Sequence, residues 1–539
     1  MWLSIVRQLR MKRNYLNNIN QVYMKVNFYF MMLSLTAACA CEKYVPVPGR
    51  EPEEIKTIEL IAPADGAEIN LADVESVTFD WKAIDDVNTY KIRMSLSEEM
   101  TSPVELSALQ TPLTVSEKSL DTKLAALGID YDTPTEVFWT VDAWGSNAET
   151  SVRSLWLTRK PYDAEAEYQA RVADPIVVKV AVVYENPPMT NGKRLHEKYG
   201  YNNPYEQVRD YEFWLEKASH GVIDYQIVAE KHIEEDPGHF WSYDRTIQNP
   251  DGSKAYHSVE FVEEILDPSN GYDIGIEDEY GTFDYTGMAE YYGFGQMRDA
   301  GELHEIWVYT HPASGMYESR LMGAGAFWCN SPGITNGAPC QDLMCVMFCN
   351  FEREVALAIH SHAHRVESIM NQVYGSWNYG NKPRYSDLTN WELFSAYEKL
   401  VEENYSEEKA GFCHIGMCHW PPNARADYDY GNKTNFVYTY ADTWIDYPDI
   451  KEDKYTARKV NCDEWKIEKT PELDAQVNQT WYYDDYQLGY MLYYHSHLPH
   501  FKGLNKAAND QHLNNWWHYI VDYNAAIRRE RELQTGSGN

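Results

Sequence analysis

Two histidines four residues apart, His360 and His364, followed by Glu367, have the types and spacing best suited to chemistry in this chain. On a helix, positions i, i+4 and i+7 lie one above another. Two imidazoles at i and i+4 can reach one metal ion without bending the backbone, and zinc is the ion that uses this spacing in hydrolases. Zinc is therefore the expected cofactor. A third ligand is needed. Glu367 shares the face, but i+7 is a long reach to the same ion. His419 lies in Gly416-Met417-Cys418-His419-Trp420-Pro421-Pro422-Asn423, where two prolines stiffen the loop and can fix an imidazole. The expected ligands are His360, His364 and His419, with Glu367 as general base or as a support behind them. In the His-Glu-x-x-His pattern a glutamate after the first histidine is the base. Here that residue is Ser361, whose hydroxyl cannot take a proton from metal-bound water at neutral pH. Glu318, in a glycine-rich stretch, is a further base. Arg365 can either hold an oxyanion or pair with a neighbouring carboxylate.

The element that must position these groups is a helix from about Asn350 to Met370. Val355, Ile359, Val366, Ile369 and Val373 form its apolar stripe. His362 falls inside that stripe and is expected in a hydrogen-bonded polar core. Asp427-x-Asp429-x-Gly431-Asn432 has carboxylates at calcium-loop spacing, so calcium is a second possible ion; the bidentate glutamate at the twelfth position is missing. Trp516-Trp517 could stack on sugar rings. Adjacent helical residues point about 100° apart, so core packing is the expected role. Nine cysteines stand at 39, 41, 329, 340, 345, 349, 413, 418 and 462. Cys329 and Cys340 flank a turn-rich loop and could bridge, whereas Cys345 and Cys349 lie in an apolar run and read as buried thiols.

The chain around this helix has 539 residues and a formal net charge of −35. Such acidity excludes nucleic-acid binding through phosphates, which needs lysine and arginine to replace counterions. Residues 57–160 alternate as short strands, among them Val77 to Trp81, Tyr90 to Leu96 and Val137 to Val141, separated by Asp, Gly and Pro turns. The expected fold there is an all-β immunoglobulin-like sandwich. A linker follows at 161–174. From 175 to 530 the pattern changes. Ile176 to Tyr184 is a continuously apolar strand, Pro204 to Ser219 a helix, Val222 to Ala229 a strand, Ser258 to Leu266 a helix and His304 to Tyr309 a strand. The fold class expected for the whole is multidomain, with the sandwich followed by a large α+β domain. Residues 531–539 read as a disordered tail.

The first residues read as an address. Arg7, Arg10, Lys12, Arg13 and Lys25 precede any acidic residue, Phe28 to Leu35 is apolar, and Thr36-Ala37-Ala38 leads to Cys39. A basic start, a short apolar run and small residues at a cut describe a secretory signal, and Met24 is the natural initiator. The run is too short to span a bilayer. A cysteine directly after the cut is the position of lipid attachment, so Cys39, with Cys41 as second choice, is expected to anchor the chain. Residues 1–41 are then signal and lipobox, and 42–56 a polar tether.

Four resemblances follow from these residues. Thr36-Ala37-Ala38-Cys39 with its charged sequel resembles surface lipoproteins of the Bacteroides type, which implies a lipid-anchored outer-membrane or cell-surface location. Ala62-Pro63-Ala64-Asp65-Gly66, Phe79-Asp80-Trp81 and Tyr90-Lys91-Ile92 resemble the N-terminal domain of SusE-type and fibronectin-III-like lipoproteins, usually a spacer. The strand, loop and His360-Ser361-x-x-His364 helix resemble a zincin metallopeptidase whose catalytic glutamate is absent. The wider set, with Asp427-Tyr428-Asp429-Tyr430 and Asn514-Asn515-Trp516-Trp517, resembles uncharacterised secreted bacterial proteins. These resemblances imply a surface zinc-dependent hydrolase of peptide or glycopeptide. Their alternative is a non-catalytic lipoprotein that binds glycan or peptide for a nutrient-uptake system.

Overall fold

A computed structural model describes residues 56–536 except 86, 145, 147, 271–281, 376, 383, 410–411, 451–456 and 508–509. The expected signal, Cys39, Cys41 and the tether up to residue 55 lie outside the described residues. The chain divides into two compact units, one up to Ala164 and one from Glu165.

In the first unit, alternation sets the faces. Tyr90, Ile92 and Met94 of strand Tyr90–Ser95 point inward while Lys91 and Arg93 stay partly exposed. A five-stranded sheet runs in the order Ala67–Asn70, Arg153–Thr158, Thr135–Ala143, Tyr90–Ser95, Val104–Ala108, and a three-stranded sheet in the order Leu60–Ala62, Ser76–Trp81, Leu113–Ser116. Both contribute to one core around Phe79, Trp81, Ile92 and Trp139. A helix at Glu117–Ala126 is an addition that alternation does not signal; Ser116 caps it by accepting from the Ser119 amide.

In the second unit the strands are β1 (Ile176–Tyr184), β2 (Ile223–His232), β3 (Glu305–Thr310), β4 (Ser319–Met322) and β5 (Met344–Asn350), in the spatial order β2-β1-β3-β5-β4. The first four in that order are parallel, and β4 is an antiparallel edge. The two units together make a multidomain chain of mixed α and β structure. The alternation at 304–309 suggested a strand with a polar face, yet every residue of β3 is buried. Its polar member, Glu305, is held by an ion pair. Helix α1 (Pro204–Ala218) begins after Asn203, whose side chain accepts from the Tyr205 amide.

Helix α2 (Val355–Tyr374) follows β5 and ends at Gly375, whose φ of +86° suits glycine. It packs against β5, α1, α3 (Tyr486–Ser496) and α4 (Trp516–Val521). Thirteen of its twenty residues are buried, so polar side chains on several faces need internal partners. His362 shares a hydrogen bond of 2.9 Å with His495, which bonds the Met491 carbonyl through its other nitrogen, forming the polar core expected of it. Trp516 and Trp517 are fully buried, Trp516 against Trp391, Phe394 and Trp444, so core packing is their role.

Arg365 takes the second of its two expected uses. It is 2.6 Å from Glu305 of β3 and donates to the Ile520 carbonyl of α4 at 2.7 and 3.1 Å. Both charges are fully buried on the sheet side of the helix, so Arg365 is a structural tie and holds no oxyanion. The seven cysteines from 329 onward are free and buried, including Cys329 and Cys340, which do not bridge. The stretch expected as linker carries a helix, Ala164–Arg171, whose Tyr168 hydroxyl is 2.7 Å from His500. The final helix α5 (Tyr523–Thr535) runs into the stretch expected as a tail.

Removing one member of a buried ion pair strands the other charge. Arg365→Met is expected to cost about 3–5 kcal/mol of stability, and Arg365→Met with Glu305→Gln to recover part of it. Denaturant unfolding of the two variants measures both numbers.

Candidate metal centre

The i, i+4 spacing works as anticipated. His360 and His364 leave α2 on one face, and the loop at 416–423 brings His419 to them. Nε2 of His419 lies 3.0 Å from Nε2 of His364 and 3.3 Å from Nε2 of His360. Zinc–nitrogen bonds of 2.0–2.1 Å at tetrahedral angles separate ligand nitrogens by about 3.3 Å. His419 Nε2 thus stands from each of the two helix imidazoles at a separation one small ion requires.

Each ring is braced from behind. His364 Nδ1 lies 3.1 Å from Glu367, and His419 Nδ1 3.1 Å from Asp427. The Tyr430 hydroxyl donates to the Cys418 carbonyl, so its oxygen is free to accept from His360 Nδ1–H at 3.2 Å. With an N–H on each Nδ1, each Nε2 carries the lone pair, the tautomer metal binding needs.

Local sequence explains the loop. Gly416 has φ +97°, and a Cβ there would stand 2.3 Å from the Trp420 carbonyl oxygen. Met417 and Trp420 exchange two backbone hydrogen bonds of 2.9 Å, and the Tyr490 hydroxyl donates to the Met417 carbonyl at 2.8 Å. Tyr428 donates its amide to the His419 carbonyl at 3.1 Å and lays its ring over the His419 ring, centroids 4.1 Å apart. Its φ is +58°, a strained value for a bulky side chain.

Glu367 is a support and not a free base. One oxygen faces His364 and the other accepts from the Cys418 amide at 2.8 Å. Glu318 is placed differently. It precedes edge strand β4, its carbonyl accepts from the Phe348 amide at 3.0 Å, and its carboxylate accepts from the Asn330 side chain. That carboxylate is 3.9 Å from His364 Nε2 and about a third exposed. Ser361 donates to the Leu357 carbonyl of its own helix at 3.0 Å and takes no part. Arg365 points away, as described.

Cys418 was noted only as a neighbour of His419, yet its sulfur belongs to the cluster. The four ligand atoms of His360, His364, Cys418 and His419 lie within 4.8 Å of one another, a group that could hold a metal ion. The sulfur is 3.5 Å from Nδ1 and 3.8 Å from Nε2 of His360, so it sits beside the ring instead of in line with Nε2. Its thiol proton can reach the His360 carbonyl at 3.6 Å. The two carboxylates at calcium-loop spacing both have protein partners. Asp427 braces His419, while Asp429 accepts from the Arg425 amide and the Asn432 side chain.

Burial, reinforced by the two neighbouring imidazoles, pushes the His360 pKa down to about 2. Burial and His364 also lower His419. For His364 burial acts downward too, but the hydrogen bond to Glu367 and the charges of Glu367 and Glu318 outweigh it and raise the pKa. His364 is therefore the ring whose proton competes with a cation.

Residues 50–142 match the family of SusE outer membrane proteins. The match lies in the first unit and does not reach the imidazole cluster. It bears out the SusE-type resemblance of that segment and places the chain at the outer membrane or cell surface. No curated protein matches the chain.

Two outcomes are expected of metal analysis. His360→Ala, His364→Ala and His419→Ala lose bound metal, Cys418→Ser retains it, and Asp427→Asn weakens affinity by about 10–100-fold, all readable by elemental mass spectrometry and competitive chelation. Metal affinity also falls on acidification as His364 takes up its proton. In Glu367→Gln the fall shifts to lower pH, because the raising interaction is gone.

Proposed function

We propose that this chain is a surface-anchored, zinc-dependent hydrolase of peptide or glycopeptide, with His360, His364 and His419 holding the ion and Glu318 as general base. One observation carries the reading. Three braced imidazoles gather, His419 Nε2 lying 3.0 and 3.3 Å from the other two, and a partly exposed carboxylate stands 3.9 Å from His364. A zinc ion bound there would acidify a water and polarise a carbonyl.

The chain's own groups divide the remaining work. Glu318 Oε2 takes the proton of the attacking water and returns it to the leaving amine. Asn330 holds that carboxylate in place. Glu367, Asp427 and Tyr430 accept at Nδ1 and so orient the imidazoles with Nε2 toward the ion. The zincin analogy takes strand 304–309 as the edge strand before the helix, but that strand, β3, lies between β1 and β5; the antiparallel edge is β4, and β5 stands between it and α2 in the chain. The departure from zincins is the source of the base, which comes from the strand side and not from position 361. Cys39 is the proposed lipid attachment point, and two sheets around one core support an immunoglobulin-like reading of the first unit.

The second reading is a non-catalytic glycan- or peptide-binding lipoprotein of a nutrient-uptake system. The SusE match and Ser361 favour it.

Glu318→Gln separates the two. It removes the base but keeps an acceptor for Asn330. On the hydrolase reading, turnover of a casein or glycopeptide digest falls by about 10²–10⁴-fold while zinc content is unchanged. Equal zinc-dependent rates in wild type and variant would overturn Glu318 as the base, and no zinc-dependent turnover in wild type would favour the binding protein.

A further inference from the structure

Edge strand β4 stands beside the cluster, because Glu318 immediately precedes it. A free edge there could take an extended peptide as an added strand. The edge is already used. In β4 the even-numbered residues turn toward β5, as the bond from the Phe348 amide to the Glu318 carbonyl shows. The odd-numbered residues face outward, and the chain's own segment 331–334 meets them. The Ser319 carbonyl accepts from the Ser331 hydroxyl at 2.9 Å, the Leu321 carbonyl from the Ile334 amide at 2.9 Å, and the Gly323 amide donates to the Ile334 carbonyl at 3.1 Å. Arg320 reaches over to the Pro332 carbonyl at 2.9 Å.

This cover is fastened at Asn330. The Asn330 amide donates to Ser368 of α2 at 3.1 Å, and the Asn330 side chain holds Glu318. Gly333 passes so close to Ala326 that a Cβ would stand 2.6 Å from its carbonyl oxygen. The segment is part of the built site, tied to both the base and the helix that bears two ligands.

The rim carries a different kind of surface. Tyr428 lies on His419 and is 53% exposed, held there at an unfavourable φ. Trp328, two residues before Asn330, is 63% exposed. Large aromatic faces left in water beside exposed carboxylates suit the C–H faces and hydroxyls of a sugar ring. The carboxylates of Glu318, Glu367 and Asp427 disfavour an anionic one.

Given the reading of this cluster as the working site, we infer that it recognises its substrate through an uncharged glycan stacked on Tyr428 and Trp328, and not through an extended peptide backbone added to β4. The segment 329–334 is then a specificity element that closes the strand-addition route.

The test uses the mature full chain and a heavily O-glycosylated mucin with its acidic sugars removed, before and after chemical stripping of the remaining glycans, with affinities read by biolayer interferometry. Binding is expected to weaken by about tenfold or more on stripping, and by as much in Trp328→Ala with zinc content unchanged; Tyr428→Ala weakens it too. Trp328 is exposed, so its replacement leaves the fold intact; circular dichroism checks this. Equal or tighter binding to the stripped polypeptide, or unchanged binding in both variants, overturns the inference. Failure of the hydrolase reading looks different. Glycan-dependent binding would persist in wild type and in His360→Ala, with neither showing turnover.

Discussion

The second unit depends on satisfying a helix that is buried on most faces yet carries three histidines and an arginine. Buried polar groups must find partners inside the protein. Each one on α2 meets a different neighbour. Arg365 faces the sheet and pairs with Glu305, His362 faces α3 and bonds His495, and His360 and His364 face the loop that delivers His419. Turning the helix by one residue would strand all four. The ion pair that ties α2 to β3 therefore also sets the direction of the two ligand histidines.

Chemistry is laid over this frame from three separate places. The helix contributes two imidazoles at a fixed spacing. A proline-stiffened loop contributes the third, with Gly416 permitting its tight path. The residue before the edge strand, Glu318, contributes a partly exposed carboxylate held by Asn330. Because the supporting groups Glu367, Asp427 and Tyr430 lie behind the rings, the nitrogens that point inward need no rearrangement to receive a cation.

The legible part of this in sequence was whatever follows from short-range periodicity. The alternation of Tyr90 to Leu96, the apolar run Ile176 to Tyr184 and the i, i+4 histidines each point to their element, and the Pro-Pro loop singles out His419. Helix α3 stayed hidden among aromatic residues. Tyr486–Ser496 is buried on several sides, so it shows no polar face to mark a period. Glu305 looked like the polar side of a half-exposed strand because nothing local reveals that Arg365, sixty residues later, will neutralise it. Cys418 and the orientation of Glu318 depend on how loops return to the helix, and Glu318 was named only for its glycine-rich surroundings. The bridge suggested for Cys329 and Cys340 failed for the same reason: flanking a turn does not bring two thiols together.

The central claim is that three imidazoles, and no thiolate, hold one metal ion. X-ray absorption at the zinc edge of the purified chain tests it most directly. Three imidazole ligands give a nitrogen and oxygen shell at about 2.0–2.1 Å with imidazole scattering beyond it. A sulfur shell at about 2.3 Å, or protein that retains no zinc at neutral pH, would contradict it.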